Sequence, residues 1–265
     1  MKVAIIGAGN MGGAVARGLA KGTLVQTSDI YVSNPSKPKL KALKAEFAEI
    51  NTTSDNRLAA EAADIVIIAV KPWIVESVVS ELKPVLDYSR QAVGSLVGGL
   101  SLAQLSAWLD RGDGVLPATY AIIPNTAIAT MSSMTFISSV RSTTERDSLL
   151  LDIFNELGEA MLIDEAVMPA ATSLASCGIA YALRYIRAAM EGGVELGFRA
   201  DDAKHIVMQT LRGAVDILST NNRHPEEEID RVTTPGGLTI KGLNAMESAG
   251  FTHSVIEGLR ASTKR

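Results

Sequence analysis

The sequence lacks most of what a disulfide scaffold, a metal site or a nucleic-acid binder needs. Its single cysteine, Cys177, cannot form an intramolecular disulfide, and no metal-ligand spacing surrounds it. The three histidines, His205, His224 and His253, are scattered, so no metal site is expected. Neither sign of charge dominates: 25 Lys+Arg stand against 29 Asp+Glu, a net charge of −4. That balance exerts no bulk pull on nucleic acid or an anionic membrane. No stretch of about twenty uncharged apolar residues occurs, so no transmembrane helix is expected. The apolar run after Lys2 is short and ends in glycines, which suits a strand better than a signal-peptide core. A soluble cytoplasmic protein is the expectation. No catalytic histidine or carboxylate dyad stands out either, which fits chemistry that needs little acid–base machinery.

What is present falls into two textures. Hydrophobic residues make up 47% of the chain and charged residues 20%, enough to build a sizeable core. Over residues 1–164 short apolar runs (VAII, IYVSN, DIVIIAV, AVGSLVGG, ATYAII, MTFIS) alternate with amphipathic stretches. Apolar strands without period-two alternation, separated by helices, indicate a parallel sheet covered on both faces, a doubly wound Rossmann-type α/β domain. Over residues 165–265 the pattern is all helical. Residues 167–198 read as one long, charge-poor helix, which belongs in a core or a subunit interface. Asp201 and Asp202 suit the N-terminal end of a second helix. An all-helical domain this short needs a second copy to bury its faces.

The glycine pattern G-x-G-x-x-G appears at Gly7, Gly9 and Gly12, directly after the first strand and at the mouth of a helix. Gly7 permits the tight turn, Gly9 lets a pyrophosphate approach, and Gly12 lets helix and strand pack closely. Backbone amides across Ala8, Asn10 and Met11 then face the phosphates. The second strand ends in Ser33 and Asn34, followed by Ser36, Lys37 and Lys39, where an acid would grip the ribose of NAD. Hydroxyl, amide and ammonium donors suit a 2′-phosphate, so NADP(H) is favoured and NAD(H) expected to be weaker. The next strand ends in Ala69, Val70, Lys71 and Pro72, at the crevice where an open sheet binds ligands; Lys71 either faces the cofactor or is an ordinary strand-end lysine.

These residues, taken with GIAYALRYI, IPNTA and HPEEEIDRVTTPGGLTIKGLNAMESAGF, resemble the pyrroline-5-carboxylate reductase family along essentially the whole chain. The resemblance implies reduction of 1-pyrroline-5-carboxylate to L-proline with NADPH or NADH. It implies an N-terminal Rossmann domain and an interlocking C-terminal domain, giving homodimers that often gather into decamers. It adds Asn56, from the SDN stretch, to the cofactor residues. It also assigns the substrate to Thr234, Gly236, Gly237 and Thr239. Amides at Gly236, Gly237 and Leu238 would take the carboxylate, and the Thr239 hydroxyl would orient the ring nitrogen. Thr239 is the one candidate catalytic residue, in an orienting role. A plainer reading makes the stretch an interhelical turn, with Thr234 as N-cap and Pro235 at the first helical position.

The chain departs from the family pattern at Ala121, Ile123, Ala127, Cys177, Ile179 and Asn222. Loss of a proline at Ile179 is expected to straighten the long helix locally. Two alternatives remain: an NADP-dependent hydroxyacid or opine-type dehydrogenase, and a redox sensor that binds NADP(H) without turnover. The first usually recruits a lysine or histidine from the helix that here offers Ser173, Ser176 and Cys177.

Overall fold

Strands with no polar position can be stable only if helices cover both faces, and the chain supplies them in alternation. In the computed structural model, which describes residues 1–263, β1 (Val3–Ile6), α1 (Asn10–Lys21), β2 (Ile30–Ser33), α2 (Lys37–Glu46), β3 (Asn51–Thr53) and α3 (Asn56–Glu61) come first. Next come β4 (Ile65–Ile68), α4 (Val75–Leu82), β5 (Ala92–Ser95), α5 (Leu102–Leu109), β6 (Ala118–Ile123), β7 (Ser133–Val140), α6 (Thr144–Asn155) and β8 (Gly158–Leu162). They form one eight-stranded sheet in the order β3-β2-β1-β4-β5-β6-β7-β8.

The sheet is mainly parallel, as expected, but β7 runs antiparallel to β6. The link between them is too short for a crossover helix, so the chain can only turn back. Two strands escaped the sequence reading. At the sheet edges, β3 is three half-buried residues and β8 is partly exposed, so neither carries the apolar run that marks a central strand.

The strands divide their residues between two cores. Val3 and Ile5 point to one face with Val15 and Leu19 of α1 and Leu43 of α2. Ala4 and Ile6 point to the other, with Val75, Val79 and Leu82 of α4. All are at most 1% exposed, and each large aliphatic contributes about 1.5–3 kcal/mol by leaving water.

Two compact units are present, Met1–Ser176 and Cys177–Arg265. The first includes α7 (Met168–Ala171) and a π-helical segment, Thr172–Cys177, over most of its length. Met168, Ala171 and Ala175 pack on Ala121, Ile123 and Phe136 of the sheet. Ile179 itself lies in regular α-helix. Just before it the helix widens, with the Asn125 amide nitrogen donating to the Ala175 carbonyl at 3.4 Å and the Ser176 hydroxyl to Pro124 at 3.5 Å. Side-chain donors that compete for helix carbonyls favour such local widening.

The second unit contains α8 (Gly178–Glu195), α9 (Ala200–Asn221), α10 (Pro225–Arg231), α11 (Leu238–Ser248) and α12 (Phe251–Ala261). Asp201 and Asp202 lie in the first turn of α9. Pro225 starts α10, where its missing N–H costs nothing. Leu183, Val215 and Leu238 are 59, 61 and 86% exposed, so this unit alone cannot cover its apolar surface. The stretch Glu165–Glu195 is even long and apolar enough to cross a membrane by length and composition. That is an exception to the expectation from sequence, which missed it because the uncharged run stops at Arg184.

Candidate active site

The strand order reverses between β1 and β4, the point where an open α/β sheet leaves a crevice beyond its carboxyl ends. The loops that meet there are Gly7–Gly12 and Ala69–Pro72. Gly7 has φ +107°, and a Cβ on it would lie 2.8 Å from the Ala69 carbonyl oxygen. A Cβ on Gly12 would land on the Gly7 carbonyl and 2.7 Å from the Ala69 Cβ. Two glycines are therefore needed for packing alone. Gly9 is different: it has an ordinary φ of −73° and open space where a side chain would stand. That opening is what a closely approaching ligand backbone requires.

Gly9 is the N-cap of α1, with no side chain to satisfy the first turn and no acid in it. The amides of Asn10, Met11 and Gly12 have no hydrogen-bond partner among the described residues, so the positive end of the helix stays available to an anion. The loop is fixed from β2. Gly7 donates its amide to the Ser33 carbonyl at 2.9 Å, and Ala8 donates to the Asn34 side-chain oxygen at 3.0 Å.

The ribose corner departs from expectation in one respect. Ser33 is fully buried, and its hydroxyl donates to the Asn56 side-chain oxygen at 2.7 Å. It therefore shapes the corner from behind rather than facing a ligand. With both side-chain oxygens taken, Asn34 still offers its two side-chain N–H groups and Asn56 one, its other donating to Glu81 at 3.0 Å. Lys37 and Lys39 are exposed at the start of α2, whose first turn contains no acid. A corner with amide and ammonium donors fits a phosphate. Beside it, Lys71 is exposed, and its ammonium sits 5.9 Å from the ring centre of Trp73; Pro72 opens a 3₁₀ turn through Ile74. Ala69 is tied to β1 through its amide and the Ile6 carbonyl, 2.8 Å apart.

Asn125, after β6, is a further polar group that sequence reasoning did not single out. It is 5% exposed, caps the turn Thr126–Thr130 through the Ala127 amide, and holds the π-helical segment. Its position within IPNTA was the available signal.

In the helical unit, Thr234–Gly237 forms a β-turn. The Gly237 amide donates to the Thr234 carbonyl at 2.9 Å, and Gly236 takes φ +69°, as the third position of a type II turn requires after proline. Two expectations change here. Gly237, not Thr234, is the N-cap of α11, and Pro235 precedes the helix. The Gly237 amide is also spent inside the turn. The amides of Gly236, Leu238 and Thr239 and the Thr239 hydroxyl have no partner among the described residues. No side chain caps α11, so its N-terminal turn presents amides and one hydroxyl outward. A side chain at Gly237 would collide with the Thr234 hydroxyl.

This geometry has close relatives. Residues 165–265 match the family model for pyrroline-5-carboxylate reductase dimerisation, and residues 2–93 match that for NADP oxidoreductase, coenzyme F420-dependent. The chain is 37% identical to pyrroline-5-carboxylate reductase 2 of Dictyostelium discoideum, over 99% of this chain and 91% of that one. It is 35% identical to reductase 1 of the same organism, of which it spans 49%. The pea enzyme is 32% identical over 98% of this chain and 93% of its own. Among solved structures, Plasmodium falciparum pyrroline carboxylate reductase with NADP bound superposes with a TM-score of 0.88 at 27% identity, covering 99% of this chain and 95% of that one. The Coxiella burnetii reductase gives 0.89, also at 27%, over 99% and 96%. With its glycine-rich crevice, its uncapped T-P-G-G turn and a matching dimerisation domain, the chain belongs to the pyrroline-5-carboxylate reductase family.

Proposed function

We propose that the protein reduces the ring C=N of 1-pyrroline-5-carboxylate to L-proline, the last step of proline biosynthesis, with NADPH preferred over NADH. The observation that carries this reading is the open N-terminal turn of α11. The substrate's polar groups are one carboxylate and one ring nitrogen. The unpaired amides of Gly236, Leu238 and Thr239 match the carboxylate, and the Thr239 hydroxyl matches the nitrogen. The bound nicotinamide supplies a hydride. The Gly9 opening and the α1 amides would hold its pyrophosphate, and Asn34, Asn56, Lys37 and Lys39 its 2′-phosphate.

A protonated cyclic imine is already electrophilic, so this chain's residues need only orient C5 and exclude water. The nitrogen lone pair that forms as C5 is reduced is stabilised by a donor, and a hydroxyl does this by hydrogen bonding rather than as a strong acid. The absence of a histidine or carboxylate dyad from the described first turn of α11 is consistent with that demand. Assembly of dimers into a decamer and a cytoplasmic location belong to the same reading. The exposed apolar residues of α8 and α9 support the association of copies on which such an assembly would be built.

The test is consumption of NADPH and NADH with pyrroline-5-carboxylate, followed by absorbance. Turnover with NADPH is expected. Thr239→Ala should lower kcat at least about tenfold, the loss of one hydrogen bond of about 1.4 kcal/mol to the reacting nitrogen, while NADPH affinity stays within about twofold. Unchanged kcat removes the role of Thr239. Tight NADPH binding without any oxidation points instead to a sensor.

A further inference from the structure

The end of β2 carries no acid, yet the structure brings one to the same corner from a different helix. Glu81, in the last turn of α4 and half-buried, accepts from the Asn56 side-chain nitrogen at 3.0 Å. Asn56 in turn accepts the Ser33 hydroxyl at 2.7 Å. This chain of two hydrogen bonds fixes which way the Asn56 amide points. Rotating the amide by half a turn would set its oxygen against the Glu81 carboxylate, oxygen to oxygen, so the carboxylate decides the orientation. The nitrogen of Asn56 is left with one N–H for a ligand.

We propose that Glu81 sets the balance between NADPH and NADH, acting from behind Asn56 as the acid that β2 lacks. The inference rests on the reading that the 2′-phosphate sits at Asn34, Asn56 and the lysines of α2. A phosphate oxygen on the free N–H of Asn56 and the Glu81 oxygen on the other would share one nitrogen at about 3 Å each, leaving the two anions roughly 5 Å apart. Repulsion at that range in a half-buried corner weakens NADPH, whereas a 2′-hydroxyl carries no charge to be repelled. Lys37 and Lys39 oppose this effect. The outcome is an enzyme that uses both cofactors, with a preference smaller than the donor-rich corner alone would impose.

Two variants separate charge from positioning. Glu81→Gln keeps an acceptor for Asn56 but removes the charge. Glu81→Ala removes both, on a helix that tolerates alanine well. The ratio of kcat/KM for NADPH over NADH should rise about fivefold to tenfold in Glu81→Gln. It should rise by less in Glu81→Ala, because Asn56 is then held only by Ser33; NADH values should stay within about twofold in both. Dissociation constants for the two cofactors, from quenching of protein fluorescence, should show the same change in ratio without any imine substrate. A folded Glu81→Gln variant whose binding ratio stays within twofold of wild type, or falls, overturns the role of Glu81. Absence of turnover with pyrroline-5-carboxylate in every form, alongside the shifted binding ratio, would instead strike the substrate reading and leave Glu81 standing.

Discussion

Gly9 and Gly12 look alike in the sequence and differ completely in space, so alanine at each makes opposite predictions. At Gly12 a methyl group would overlap the Gly7 carbonyl and lie 2.7 Å from the Ala69 Cβ. Neither neighbour is the end of a flexible side chain, so α1 has to move off β1 and β4. Overpacking of this kind costs about 1–3 kcal/mol or somewhat more, and backbone involvement puts Gly12→Ala at about 3. For a unit of this size that is a fall of about 6–12 °C in Tm. At Gly9 the methyl meets nothing within 4 Å, and φ is −73°. Replacing the N-cap glycine by alanine costs less than about 1 kcal/mol, so Tm should fall by no more than about 4 °C. The methyl does, however, occupy the space through which a pyrophosphate reaches the first-turn amides. Gly9→Ala should weaken NADPH at least about tenfold, or about 1.4 kcal/mol. Thermal melts by circular dichroism and NADPH titration by fluorescence measure the two quantities. The reasoning fails if Gly9→Ala binds NADPH like wild type, or if it melts as early as Gly12→Ala.

Two further outcomes are expected. Desolvation raises the Glu156 carboxyl, but the Thr23 hydroxyl and the amides of Leu24 and Thr23 outweigh it and hold its pKa below the usual glutamate value. A depressed folded-state pKa adds stability above the unfolded value and loses it as pH falls through the folded one. Tm should therefore drop below about pH 4.5 more steeply in wild type than in Glu156→Gln, and superimposable profiles would remove Glu156 from the account. For the helical unit, light scattering should give a dimer or a multiple of dimers, and Leu183→Glu, at the exposed centre of α8, should shift it toward monomer; an unchanged mass would mean that this face is not in the interface.

Much of the fold was legible because it is local. Four consecutive apolar residues in β1 and β4 state that both faces are covered, and Gly7, Gly9 and Gly12 state that β1 passes through a tight turn directly into a helix. Pro235 was less plain: expected as the first residue of a helix, it instead forms with Gly236 a type II turn that precedes one. The edge strands β3 and β8 were not legible, because they are half solvated and carry no pattern of their own.

The site divides in the same way. Sequence by itself determined that this protein has a dinucleotide-type crevice, a charge-poor helical half and a glycine turn with unpaired amides, since each depends on residues a few positions apart. Only the tertiary structure decided that Ser33 faces inward against Asn56 and that Glu81 stands behind Asn56. These depend on distances between residues remote in sequence, such as the 25 positions from Asn56 to Glu81. No local pattern encodes them, because packing of one element on another sets where each side chain ends.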